Sequence, residues 1–155
     1  MKTVEFLEKM SEFRRNFVKN SLKYSCFEEF VLKNGKKFEK IIKRPSWVNR
    51  GKIKECFSNC FSEMVRHKSE LTYCEGYAFS GLLPVHHAWL LYEGKVIDPT
   101  WEKLKISDLE YFGVAFSNNY VISKALSTGY YGVLDNFVES YPLLSGVDVD
   151  FGVIN

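Results

Sequence analysis

Val85-His86-His87-Ala88-Trp89-Leu90-Leu91-Tyr92-Glu93-Gly94-Lys95-Val96-Ile97-Asp98-Pro99-Thr100-Trp101 is the stretch whose reading decides the fold. Two short apolar and aromatic runs flank Glu93-Gly94, a pair suited to a tight two-residue hairpin turn. With that turn, Tyr92 pairs with Lys95, Leu90 with Ile97 and Trp89 with Asp98. Side chains alternate faces along a strand, so His87, Trp89, Val96 and Asp98 share one face while His86 and Ile97 point the other way. His87 and Asp98 become diagonal neighbours whose side chains can meet. A three-residue loop would flip the parity and nominate His86 instead. An imidazole oriented by a carboxylate is half of a nucleophilic site.

The other half lies upstream. Residues 53–67 read as a helix carrying Ile53, Cys56, Phe57, Cys60, Phe61 and Met64 on one face. A cysteine on such a face is ordinarily a small core residue. Cys56 differs because it falls in the first turn, where unpaired N–H groups and the helix dipole favour a thiolate. Cys60, one turn deeper, reads as plain core. A metal site built from Cys56, Cys60, His86 and His87 is the rival use of these residues. The Cys56-x3-Cys60 spacing lacks the C-x2-C of a zinc ribbon and no second pair follows, so neither metal nor cofactor is expected.

The remaining chain supplies scaffold. Phe6, Met10, Phe13 and Phe17 recur at helical spacing across residues 3–20, and a second helix is expected over 25–33, ended by a left-handed Asn34-Gly35. Residues 36–44 are strand or extended loop. Trp47 is either core or a wall of the site. Residues 71–80 read as a strand in which Gly76 marks a bulge or a close backbone approach. Glu75 is there either a strand-surface acid or an auxiliary polar group directed at the site. Another strand or turn is expected over 111–116. A helix over 117–127 should then turn Val121, Ile122 and Leu126 inward, with Thr128-Gly129 closing it. The sum is an α+β fold: N-terminal helices and a nucleophile-bearing helix packed on a small antiparallel sheet.

At 155 residues the chain fits a single domain with a proper core. It divides into a helical and basic lead-in (1–52), a core (53–136) and an acidic tail (137–155). The first twenty residues alternate charged and apolar side chains without a long apolar run, and no stretch approaches the roughly 18 to 20 apolar residues that cross a membrane. A cytoplasmic protein with no membrane partner is the expectation, and its four cysteines should stay as thiols there. The net charge of +2 hides an asymmetry. Residues 33–54, from Lys33 to Lys54, hold nine Lys or Arg against one acid, Glu39, whereas residues 135–155 hold four acids and no Lys or Arg. The basic segment is a solvated loop or a surface for nucleic acid or an acidic partner.

The order of a helix-borne Cys, a strand His and a strand Asp resembles the transglutaminase-like branch of the papain-type cysteine enzymes. The marks are Cys56-Phe57-Ser58-Asn59, His87-Ala88-Trp89 and Asp98-Pro99-Thr100-Trp101. A set of bacterial and phage proteins is similar over about residues 53–136, adding Tyr73-Cys74-Glu75-Gly76-Tyr77-Ala78, Tyr111-Phe112-Gly113-Val114 and Tyr131-Gly132-Val133-Leu134-Asp135-Asn136. The resemblance implies a Cys56-His87-Asp98 triad acting on an amide or related acyl bond of a peptide or protein. Asn49, Asn59 and the Cys56 N–H are candidates for the oxyanion hole, and Trp89 and Trp101 for an apolar acyl slot. A non-catalytic binding protein on the same fold, sequestering a protein or nucleotide, is the alternative.

Overall fold

The computed structural model describes residues 2–17 and 22–154. Two helices, α1 (Thr3–Phe17) and α2 (Phe27–Asn34), precede a short strand β1 (Lys36–Phe38) and the helix α3 (Cys56–Arg66). Strands β2 (Leu71–Phe79), β3 (Val85–Tyr92) and β4 (Lys95–Ile97) follow, then β5 (Glu110–Phe116) and α4 (Asn118–Thr128). The chain ends with two short helices, α5 (Pro142–Ser145) and α6 (Val149–Gly152), and a last strand β6 (Val153–Ile154). Helices and an antiparallel sheet thus make a mixed fold. No helix among the described residues is long and apolar enough to cross a membrane.

The hairpin forms in the register its turn dictates. Glu93 and Gly94 both have positive φ (49° and 72°), the conformation of a two-residue primed turn. Tyr92 pairs with Lys95 and Leu90 with Ile97. Asp98 lies one residue beyond β4.

The strand order is β1-β5-β2-β3-β4, with β6 also on β5. The sheet curls until one stretch of chain bridges both of its edges. Lys36, Lys37 and Phe38 pair with β5. A few residues on, Ile42 N–H donates to Val96 O at 2.9 Å and Val96 N–H to Lys40 O at 2.7 Å, on β4. Residues 36–44, expected as strand or loop, therefore close the sheet.

The two faces are chemically distinct. Tyr73, Tyr77, Ala88, Leu90, Ile97, Val114 and Phe116 look outward into the larger apolar cluster, which Leu7, Phe30, Cys60, Met64, Val121 and Leu143 complete from the helices and C-terminal segment. Cys74, Ala78, Trp89, Val96, Tyr111 and Ala115 look inward. The concave face is built from small residues because Trp89 has to fit within the curl. At Gly113, a Cβ would lie 2.5 Å from the Trp89 ring and 2.6 Å from Glu75 O; at Gly76 it would lie 2.5 Å from the Gly113 Cα. The β2 register runs without interruption, so Gly76 marks a close approach and no bulge.

Several expectations shift. In α1 the buried residues are Thr3, Leu7 and Ser11, while Phe13 and Phe17 are exposed and pack on each other at 4.8 Å, the last turns meeting α2 through the ion pairs of Arg14 with Glu28 and Arg15 with Glu29. Residues 18–20 of the expected helix fall outside the described residues. Gly35 has φ −97° and is not left-handed; glycine is needed there because a Cβ would meet Val31 O at 2.5 Å and Gly113 O at 2.7 Å. Ile53 precedes α3 and is exposed; in α4 Val121 and Ile122 turn inward as expected and Tyr120 joins them, but Leu126 faces solvent. Gly129 does close α4, with φ 75°. Within residues 137–154, Leu143 and Leu144 enter the core and β6 pairs with β5.

Replacing Gly113 with Ala should lower stability by about 1–3 kcal/mol, the usual range for overpacking. The urea midpoint should fall accordingly, whereas Gly94→Asn, in open space within a turn that accepts positive φ, should leave it nearly unchanged.

Candidate active site

Asp98 is 7% exposed, so its charge needs partners within the protein. Oδ1 accepts the N–H groups of Thr100 (2.8 Å) and Trp101 (3.0 Å), which folds Asp98-Pro99-Thr100-Trp101 into a turn around the carboxylate. Oδ2 accepts the Tyr111 hydroxyl at 2.8 Å and faces His87 Nε2 at 2.7 Å. An ionised carboxylate only accepts, so Nε2 carries the proton on this side. Trp101 stacks on the imidazole, ring centroids 4.1 Å apart and 21° between planes. With Nε2 committed, Nδ1 is the ring nitrogen not engaged by Asp98, and Cys56 neighbours His87 closely enough to act on its electrostatics.

The electrostatics follow from these contacts. Burial alone would lower the His87 pKa, but the hydrogen bonds and negative charge of Asp98 and Cys56 outweigh it and push the value up to about 9. Burial alone would raise the Asp98 carboxyl; the His87 hydrogen bond and charge, then Tyr111 and the Trp101 N–H, hold it below the ordinary carboxylate value. Burial and the neighbouring Asp98 charge push the Tyr111 phenol well up, which keeps it a donor.

Cys56 is the first residue of α3 and belongs to neither apolar cluster, whereas Cys60 is enclosed in the larger one. It is 8% exposed, against 4% or less for the other three cysteines. Burial pushes up the thiol pKa of Cys26, Cys60 and Cys74, leaving them poor nucleophiles. Lys54, two residues before Cys56, holds φ 68°, a strained conformation for a side chain of that size. No side chain caps α3, so none covers its first-turn N–H groups. The helix start is tied to the Asp98 turn twice, by Gly51 N–H to Pro99 O (2.8 Å) and Asn59 Nδ2–H to Thr100 Oγ1 (2.9 Å).

The auxiliary residues take other roles. Asn59 spends its amide donors on Thr100 and on Lys52 O (2.7 Å), and Asn49 gives its N–H and amide to the buried Glu63. Both Asn59 amide hydrogens are engaged, whereas Asn49 commits one of its two to Glu63, so Asn49 and the Cys56 N–H stay as candidates for the oxyanion hole. Trp89 is wholly buried core and lines no slot. Trp47 packs on His67 and Tyr92 at the far end of α3, and neither walls the site nor enters the core. Glu75 points to the outer face, away from His87. Its Oε1 faces His86 Nε2 (2.8 Å) and accepts the Leu134 N–H (3.1 Å), and its Oε2 accepts the Val133 N–H (2.7 Å) and Tyr73 hydroxyl (3.1 Å). The two histidines therefore serve separate carboxylates, and no cluster of three His, Cys, Asp or Glu among the described residues is arranged to hold a metal.

Sequence reasoning missed Tyr111 as a partner of Asp98. It stands on β5, three strands away from the Asp98 turn in the sheet order, and no local spacing announces that contact. No family model, curated protein or solved structure matches this chain.

The ion pair sets a pH signature. The His87 pKa is raised on folding, so its stabilisation is complete below its ordinary value of 6.5 and is lost as pH rises through about 9. The Asp98 pKa is lowered, so its contribution is present above 3.8 and is lost as the medium acidifies past its folded value. The urea midpoint should therefore be highest between about pH 4.5 and 6.5 and fall on both sides. His87→Gln should flatten the alkaline limb, as read by denaturation at a series of pH values.

Proposed function

We propose that the chain is a cysteine-nucleophile hydrolase or acyl transferase acting on an amide or related acyl bond, on a transglutaminase-like variant of the papain-type fold. One observation carries the reading: a single imidazole has one nitrogen on a buried, fully hydrogen-bonded carboxylate and leaves the other for a thiol at an uncapped helix start. The order helix, closed sheet, His strand and Asp turn agrees with the resemblance of the motifs.

The chemistry follows from that arrangement. Cys56 Sγ, as the thiolate paired with the His87 imidazolium, attacks the acyl carbon, and the carbonyl electron pair moves onto oxygen. The Cys56 N–H and its first-turn neighbours stabilise the oxyanion. The imidazolium, steadied by Asp98 and flanked by Trp101, gives its proton to the leaving amine as the C–N bond breaks. A thioester remains on Cys56. Water, or a second amine, then loses a proton to His87 and attacks the thioester, and the C–S bond breaks to release the Cys56 thiolate beside the His87 imidazolium. Asp98 keeps its negative charge throughout.

A chloroacetamide probe with intact-mass detection tests the pairing. Native protein should take a single adduct, at Cys56, and His87→Ala should slow it by about 10²-fold or more, the lower end of what a positioned base supplies. Labelling no faster than in the urea-unfolded chain would sink the proposal. Asp98→Asn, which keeps the shape but removes the charge, should slow labelling without abolishing the folded near-UV signal.

A further inference from the structure

Behind the triad lies a cavity of about 550 Å³, within the size range of small-ligand pockets. Asp98, Trp101 and Tyr111 form part of its wall; Cys56 and His87 do not line it. The Trp101 indole stands between, stacked on His87 while also lining the cavity. Half of the remaining lining residues are branched aliphatic: Ile41, Ile42, Leu104, Ile106 and Leu109. Leu104 and Ile106 are 41% and 36% exposed, large apolar side chains held at an opening.

Charge decides what such a wall suits. Lys43, Arg44, Lys105 and Glu102 complete the lining along with Ser107 and Asp98. The Glu102 carboxylate is taken by Arg44 (2.7 Å) and Arg50 (3.4 Å), and all of the Asp98 hydrogen bonds are internal to the site already described. Lys43 and Lys105 form no ion pair among the described residues. Arg44 donates through Nη1 to Pro45 O and Val48 O and through Nη2 to Glu102, yet its buried Nε has no acceptor. Surplus positive charge therefore borders a wall of aliphatic side chains. That combination matches an anion with an apolar chain: the chain displaces water from the aliphatic wall and the head group meets Lys43 and Lys105.

We propose that this cavity is a binding site, separate from Cys56, for a medium-chain aliphatic carboxylate. Its occupant packs against Trp101 and thereby against the ring that flanks His87, so occupancy alters the setting of the imidazole. The inference rests on the cavity and does not require the acyl-transfer reading.

Decanoate, kept below its micelle concentration, serves as the probe, with tryptophan emission and calorimetry as readouts on the intact chain. Saturable binding is expected. The double variant Lys43→Glu/Lys105→Glu should bind decanoate about tenfold more weakly, since two favourable charges become repulsive. The same change should leave decanol, which lacks the charge, within about twofold. Ile106→Glu, at the exposed lip, should also reject decanoate while keeping the native circular dichroism. In Cys56→Ala the affinity should be unchanged. Absence of saturable binding, an affinity indifferent to the charge reversal, or loss of binding in Cys56→Ala would each overturn the proposal. Failure of Cys56 labelling with decanoate binding intact would count against the acyl-transfer reading alone.

Discussion

The Asp98 carboxylate is the constraint on which the other parts of the structure depend. A buried charge is tolerated only when its oxygens are satisfied, and the partners of Asp98 come from distant parts of the fold. Two are backbone groups of its own turn, one is His87 on β3 and one is Tyr111 on β5. In a flat sheet, three strand steps would separate the Asp98 end from β5 by about 14 Å. The 2.8 Å hydrogen bond from Tyr111 therefore exists only because the sheet curls. Satisfying the charge, closing the sheet and aiming the imidazole are one structural event.

The curl has its own requirement in residue size. Cys74, Gly76, Ala78, Gly113 and Ala115 line the concave side of β2 and β5, and Trp89 fills the space they leave. The stretch through Lys40 and Ile42 then joins β5 to β4 by backbone hydrogen bonds, which removes both edges over that length. Helices cover only the convex side. Their contact fixes α3, and the Gly51 and Asn59 bonds to the Asp98 turn fix where its first residue lies.

Other buried carboxylates repeat the device. Glu75 fastens the segment at Val133 and Leu134 to β2, Glu63 fastens Asn49 to α3, and Glu28 takes the Tyr77 hydroxyl between α2 and the sheet. Each joins an element to a loop or strand remote in sequence. What distinguishes Asp98 is that its imidazole has a thiol as neighbour, whereas His86 beside Glu75 is packed among the rings of Phe27, Phe57 and Tyr77.

The sequence by itself determined what is local and periodic. Glu93-Gly94 fixed the hairpin register and hence that His87 and Asp98 share a face; the stripe of Cys56, Cys60 and Met64 fixed a helix with its first cysteine in the first turn, though not that the helix begins there and leaves Ile53 outside. Both follow from side-chain periodicity and turn chemistry, which act over a few residues. Tertiary structure alone decided which groups meet across the curl. Tyr111 reaches Asp98, residues 36–42 close the sheet, and Asn59 spends its amide on Thr100 and Lys52. The inward use of Gly113, the exposure of Phe13 and Phe17, and the packing of the C-terminal segment belong there too. These depend on how far strands bend and which helix turns are covered, quantities set by packing between residues tens of positions apart, and no spacing within one segment encodes them.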